Sequence, residues 1–166
     1  QCSAVQQRRD GNTDIFRNER GSLEDCREYH FLKNACIQKE AEEKGIDFRC
    51  KFIYPTDTGI NACDVSVILN NAITNAFEGV NGCKNPYVSI SAYRKKNAYM
   101  LELANCISKR VEIDDETGLP ETTKKDKGSH GFGLANIRKV AQKYYGDIDI
   151  NQNENCFTLT VMLMIE

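Results

Sequence analysis

Residues 63–80 read CDVSVILNNAITNAFEGV, and the spacing of their apolar side chains decides the fold. Val65, Ile68, Leu69, Ala72, Ile73, Ala76, Phe77 and Val80 recur every three or four positions, the period of a helix with one buried face. Asn71, Asn75 and Glu78 stand four and three positions apart, so they project from one narrow stripe of that helix. Asn forms helices poorly because its carboxamide competes for local backbone partners. Two of them in one stripe of a well-patterned helix read either as a solvated face or as a site.

A second stretch bears on that choice. Residues 128–145 read GSHGFGLANIRKVAQKYY, with Gly131 and Gly133 flanking Phe132. A second amphipathic helix follows, its apolar stripe made by Leu134, Ile137, Val140, Ala141 and Tyr144. Glycines before a helix let backbone amides approach a ligand, and the helix start favours negative charge. Taken together, LNNAITNAFEG resembles the N-box, and HGFGLANIRK the second glycine box, of the GHKL ATPases, the group of gyrases, heat-shock chaperones, histidine kinases and mismatch-repair proteins. The resemblance spans roughly residues 23–166. The wording HGFGLANI, without a proper first glycine box, is most similar to sensor histidine kinases of the peptide quorum-sensing (accessory gene regulator) type.

Length and composition set the bounds. A chain of 166 residues is one domain by size and can bury a core. A net charge of −2 argues against nucleic acid as a partner, because a basic face is its usual footprint. No apolar run approaches the ~18 residues that span a membrane. Residues 161–165 read as a terminal strand, and there is no secretory signal pattern. The chain opens at Gln1 rather than Met and is expected to be a piece of a longer protein. Its eight cysteines form no C-x-x-C pair and are accompanied by only two histidines, which argues against structural zinc. Cys36, Cys50, Cys63 and Cys106 lie within helix or strand patterns, as buried thiols do, and the whole reads as reduced and intracellular.

In chain order, residues 1–21 read as a flexible lead-in, or equally as a linker from an upstream helical domain, and 22–166 as the folded domain. Ser22 can cap a helix over 23–44, closed by Gly45. Residues 46–54 alternate as a strand ended by Pro55, and Asn61 can cap the helix at 63–80. Residues 87–94 and 99–105 read as an antiparallel hairpin about a Lys-Lys-Asn turn. Residues 107–127 form a polar tract, long for a structureless connection. The helix at 134–145, stopped by Gly146, precedes a strand pair at 147–150 and 156–165. Helices on one face of a mixed, largely antiparallel sheet make a two-layer α/β sandwich. The family resemblance implies the same architecture, the Bergerat fold, with three helices on that face.

The resemblance also assigns roles. Asn75 matches the family's Mg²⁺-binding Asn. One amide oxygen suffices, because Mg²⁺ keeps waters and phosphate oxygens as its other ligands. Asn71 stands where the gyrase and chaperone branches carry the Glu that activates water. An amide cannot act as that base, which points to transfer onto a protein side chain. The D-x-G-x-G box that holds adenine elsewhere is replaced by LELANCIS, leaving Asn105 as acceptor for the adenine amino group. The amides of His130, Gly131, Phe132, Gly133 and Leu134 would cradle phosphates. Glu78 replaces a common Lys or Arg, so Lys124, Lys125 and Lys127 are candidates to meet phosphate charge. His30 lacks the Arg-His-Asp signature of a phosphoacceptor. The implied whole is the soluble, cytoplasmic catalytic domain of a membrane-bound, dimeric sensor histidine kinase, using ATP and Mg²⁺. It would serve upstream dimerisation and phosphoacceptor helices and a response regulator. A degenerate, non-catalytic interaction module is the alternative.

Overall fold

The computed structural model describes residues 36–120 and 133–165. Helix α1, described over residues 36–43, ends at Gly45, which takes φ 65°. The Gly45 amide donates to the Glu42 carbonyl and the Ile46 amide to that of Ala41, closing carbonyls that the helix end would leave open. There follow β1 (Asp47–Lys51), α2 (Ala62–Gly79), β2 (Tyr87–Lys95), β3 (Ala98–Cys106), α3 (Gly133–Lys143), β4 (Asp147–Gln152) and β5 (Cys156–Met164).

The strands make one sheet in the order β1-β2-β3-β5-β4. β1 runs parallel to β2, with Phe48 beside Val88, and α2 is the crossover such a pairing needs. The other three pairings are antiparallel, so the expected mixed, largely antiparallel sheet is found. Alternate strand residues face the helices: Val88 and Ile90, Leu101 and Leu103, Leu159, Val161 and Leu163 share one core with Val65, Ile68, Ala72 and Ala76 of α2 and Ile137 and Ala141 of α3. The two periods read from the sequence, 3.6 for helices and 2 for strands, thus meet in one α/β sandwich.

Some details differ from expectation. β1 stops at Lys51 rather than Tyr54. Phe52 and Tyr54 still pack on the core, but side chains hold this segment. The Tyr54 hydroxyl donates to the Ile60 carbonyl at 2.9 Å, and the Tyr99 hydroxyl to the Ile53 carbonyl at 2.7 Å. Cys36, Cys50 and Cys63 are exposed, and only Cys106 of the four expected buried thiols is buried. Cys50 sits on an edge strand and Cys63 in a first helical turn, where a favourable period does not guarantee cover. The tract after β3 is not structureless up to 120: the Asp114 amide donates to the Leu119 carbonyl and the Gly118 amide to the Asp114 carbonyl. Of the helix expected over 23–44, the part before residue 36 lies outside the described residues.

α3 ends at Lys143 rather than at the expected 145. The Tyr145 amide donates to the Gln142 carbonyl and the Gly146 amide to the Ala141 carbonyl, and Tyr145 takes the left-handed cap conformation, at φ 53°. Gly146 is required for space: a Cβ there would lie 1.7 Å from the Met162 carbonyl oxygen. Residues 144–146 turn α3 directly onto the sheet.

Asn61 caps α2, accepting from the Cys63 amide at 2.8 Å. The same end is tied to the end of α3. The Asp64 carboxylate accepts from Lys143 Nζ at 2.6 Å and from the Tyr144 hydroxyl; that hydroxyl accepts from the Asn61 amide. An acid in the first turn of one helix and a base in the last turn of the other each complement their own helix dipole. The Asp64 hydrogen bond raises the Lys143 ammonium, and burial, helped by Asp64, raises the Tyr144 phenol.

Two outcomes follow, both read by urea unfolding. Gly146→Ala lowers stability by about 3 kcal/mol or more, since backbone must move, whereas Tyr145→Gly is neutral or stabilising by up to about 1 kcal/mol because it removes left-handed strain. Asp64→Asn destabilises at pH 7 by about 1 kcal/mol, allowing for the exposure of Lys143. Both partners have folded-state values above their ordinary ones, so the wild-type advantage is full from pH 7 to about pH 10 and shrinks as pH climbs through the raised values. An advantage that grows above pH 10 would contradict this pairing.

Candidate functional site

Asn71 and Asn75 stand one turn apart in the middle of α2, each half-buried beside the start of α3. The Asn71 carboxamide donates from Nδ2 to the Val67 carbonyl at 2.8 Å. Gly133, the first residue of α3, meets this pair. A Cβ at Gly133 would lie 3.1 Å from Asn75 Nδ2, 3.3 Å from Asn75 Oδ1 and 3.4 Å from Asn71 Oδ1. The two carboxamides thus face the start of the glycine-led helix across the space that a side chain at 133 would fill. The pairing of these two sequence stretches, far apart in the chain, is the main geometric result.

The ridge continues to Gly79 rather than to Glu78. A Cβ at Gly79 would lie 2.8 Å from Asn105 Nδ2. Asn105 is 2% exposed, the buried polar side chain among the described core residues, and its Nδ2 donates to the Cys106 carbonyl at 2.8 Å. Asn71, Asn75 and Gly79 recur every four residues, so one face of α2 carries both carboxamides towards α3 and the bare glycine towards the end of β3. Glu78 is exposed and lines a different groove with Glu40, Lys44 and Phe77. The expected Asn-Asn-Glu stripe therefore splits at its third member. Gly79 escaped the sequence reading; its spacing of four from Asn75 was the available signal.

Leu134 packs as a partly buried residue against the core. His130, Gly131, Phe132, Lys124, Lys125, Lys127 and His30 lie outside the described residues.

Sequence reasoning also missed the tie between α3 and the tract after β3. Arg138 Nη1 donates to the Thr117 carbonyl at 2.5 Å, and its Nε lies 3.3 Å from Asp147 Oδ1, buried without hydrogen-bond alignment. Asp114 accepts from the Glu116 and Thr117 amides and the Thr117 hydroxyl, bonds that hold its carboxyl below the ordinary range. Among the described residues no group of three or more His, Cys, Asp or Glu side chains is placed to hold a metal, and no helix is long and apolar enough to cross a membrane.

Comparison with known proteins bears on the family and the fold. Residues 60–164 match the family described as the GHKL domain. In sequence, no curated protein matches the chain. In structure, the chain is similar to the catalytic domain of histidine kinase ThkA, with a TM-score of 0.64 and 20% identity over 87% of this chain and 93% of that one. It is also similar to Acinetobacter baumannii histidine kinase AdeS, at a TM-score of 0.60 and 13% identity over 84% of this chain and 64% of that one. Mycobacterial sensor histidine kinase MprB matches at 0.59 and 12% identity over 84% of this chain and 96% of that one. At such identities the likeness is one of fold.

The contact of Gly79 with Asn105 is testable by a double-mutant cycle. Gly→Ala in a helix ordinarily stabilises by up to about 1 kcal/mol. Gly79→Ala is expected to lose that gain or destabilise in the wild-type background, and to recover it in Asn105→Ala, a coupling of about 1 kcal/mol or more. Simple additivity in chemical denaturation would show that the two residues do not touch.

Proposed function

The chain belongs to the GHKL domain family, and on that premise we propose that it is the ATP-binding catalytic domain of a sensor histidine kinase. It passes the γ-phosphoryl of ATP to a histidine on separate dimerisation helices, from which a response regulator takes it. The observation that carries this reading is the approach of Asn71 and Asn75 to Gly133. The solved structures of similar fold that are histidine kinases support the choice of branch within the family.

The residues present fit ATP and Mg²⁺. Two neutral carboxamides, both with Oδ1 at the lip of the Gly133 space, offer hard oxygen without placing a fixed carboxylate beside phosphate. Asn75 would hold the metal with one oxygen, the remaining ligands being water and phosphate. When bound there, Mg²⁺ would supply neutralisation of phosphate charge. Asn71 keeps its amide tied to the helix backbone and takes no proton, so water is not activated there. The start of α3, bare at Gly133, presents backbone amides to the phosphates. Asn105 is assigned to the adenine amino group from its place at the end of β3, across from Gly79. Phosphoryl transfer asks mainly for placement and charge neutralisation, which this set of groups provides.

The finer assignment is to the quorum-sensing branch. It rests on LELANCIS standing where D-x-G-x-G is usual and on Glu78 in the N-box. In that setting the parent protein is membrane-bound and dimeric, and this domain is cytoplasmic.

The test is calorimetric titration with ATP, with and without Mg²⁺. Expected are micromolar affinity in Mg²⁺, a loss of tenfold or more in Asn75→Ala, and negligible steady hydrolysis by the isolated domain. Absence of nucleotide binding at millimolar ATP by folded protein would overturn the reading in favour of a non-catalytic interaction module.

A further inference from the structure

Three cysteines and one tyrosine meet at one end of the sheet. Cys106 ends β3 and Cys156 begins β5, and the two are register partners. Tyr87 begins β2, and its backbone amide donates to Cys106 Sγ at 3.4 Å. Cys83, just before β2, lies against Cys106; burial pushes its thiol up to about 11. The Tyr87 phenol sits against Cys156 and is pushed up to about 12, by that contact first and by burial second.

The register decides which thiols can join. Next to the Cys106–Cys156 pair, the Ile107 amide donates to the Asn155 carbonyl at 3.1 Å. In an antiparallel ladder, bonds between the flanking residues mark a non-hydrogen-bonded pair, whose Cα atoms lie about 4.5 Å apart with side chains on the same face. A disulfide needs Cα atoms about 4.4–6.8 Å apart. Directly opposed residues of this kind meet that need without moving the backbone. Both thiols are free, Cys106 buried and Cys156 half-buried. A partly exposed thiol beside a buried one is the arrangement in which the outer sulfur meets an oxidant and the inner one closes the bridge.

We infer that Cys106 and Cys156 are a redox-sensitive pair that closes to a reversible cross-strand disulfide with a hydroperoxide as oxidant. The Cys156 thiolate attacks the peroxide oxygen, giving a sulfenic acid, and hydroxide leaves. The Cys106 thiolate then attacks that sulfur, and the sulfenic oxygen departs as water once protonated. In sum two thiols become one disulfide and hydrogen peroxide becomes two waters. A dithiol returns both thiols by exchange. The bridge fixes the end of β3 that carries Asn105 to the start of β5. It does not depend on the nucleotide reading.

The reduced, folded protein is treated with one to ten equivalents of hydrogen peroxide without nucleotide, blocked with an alkylating agent and mapped by mass spectrometry without reduction. The expected result is a dominant Cys106–Cys156 cross-link that dithiothreitol removes. A second readout is a rise of about 5 °C or more in melting temperature on oxidation, absent in Cys156→Ala. A dominant link from Cys106 to Cys83, any other dominant pairing, or no cross-link at all would overturn the assignment.

Discussion

The structure depends on how closely α3 begins against α2. A Cβ at Gly133 would press on the carboxamide of Asn75 and touch that of Asn71, so a bare start lets the two helices meet there without shifting either side chain. The other end of the same contact is held by charge: Asp64 near the start of α2 takes Lys143 and Tyr144 at the end of α3. Asp64 to Asn75 spans as many residues as Gly133 to Tyr144. Two antiparallel helices joined at both points therefore rise by the same length between them, and neither needs to bend. The apolar stripes of both fall between the two ties and onto the sheet.

The sheet sets the third corner. β3 lies between β2 and β5, and its helix-facing row runs from Tyr99 through Leu101 and Leu103 to Asn105. That row is apolar at its centre and polar at its end, where Gly79 leaves room for a carboxamide. A buried polar group is costly unless bonded, and Asn105 meets that cost with its own neighbour's carbonyl. The ridge Asn71-Asn75-Gly79 thus touches α3 at its upper members and β3 at its lowest. One helix face organises polar groups from three elements that are remote in sequence.

Most of this was legible because it is periodic. The apolar positions of residues 63–80 predicted the buried face of α2, and alternation in 87–94 and 99–105 predicted the hairpin that pairs Ser91 with Glu102. What periodicity cannot carry is contact across the chain. That Gly79 rather than Glu78 completes the ridge depends on where β3 ends, and that Arg138 reaches Thr117 depends on a turn built by Asp114. The end of α3 depends on such contact too: Tyr145 bears the left-handed conformation and Gly146 leaves room for the Met162 carbonyl, so the helix ends at Lys143 rather than at 145. The exposed thiols were misread because membership of a strand or helix says nothing of which edge of the fold that element occupies.

The choice of amide over carboxylate along the ridge limits what the site can do. A carboxylate at position 71 would take a proton from water and would repel phosphate held at the start of α3. A carboxamide does neither, and the Asn71 group is further committed by its bond to the Val67 carbonyl. Its oxygen can accept a hydrogen bond or coordinate a hard cation, and nothing more. On the proposed reading, a nucleotide bound against such a ridge is oriented but not attacked from position 71, and the attacking atom comes from outside the domain. That difference, more than any single contact, would distinguish a donor of phosphoryl groups to another protein from an enzyme that spends its nucleotide on water.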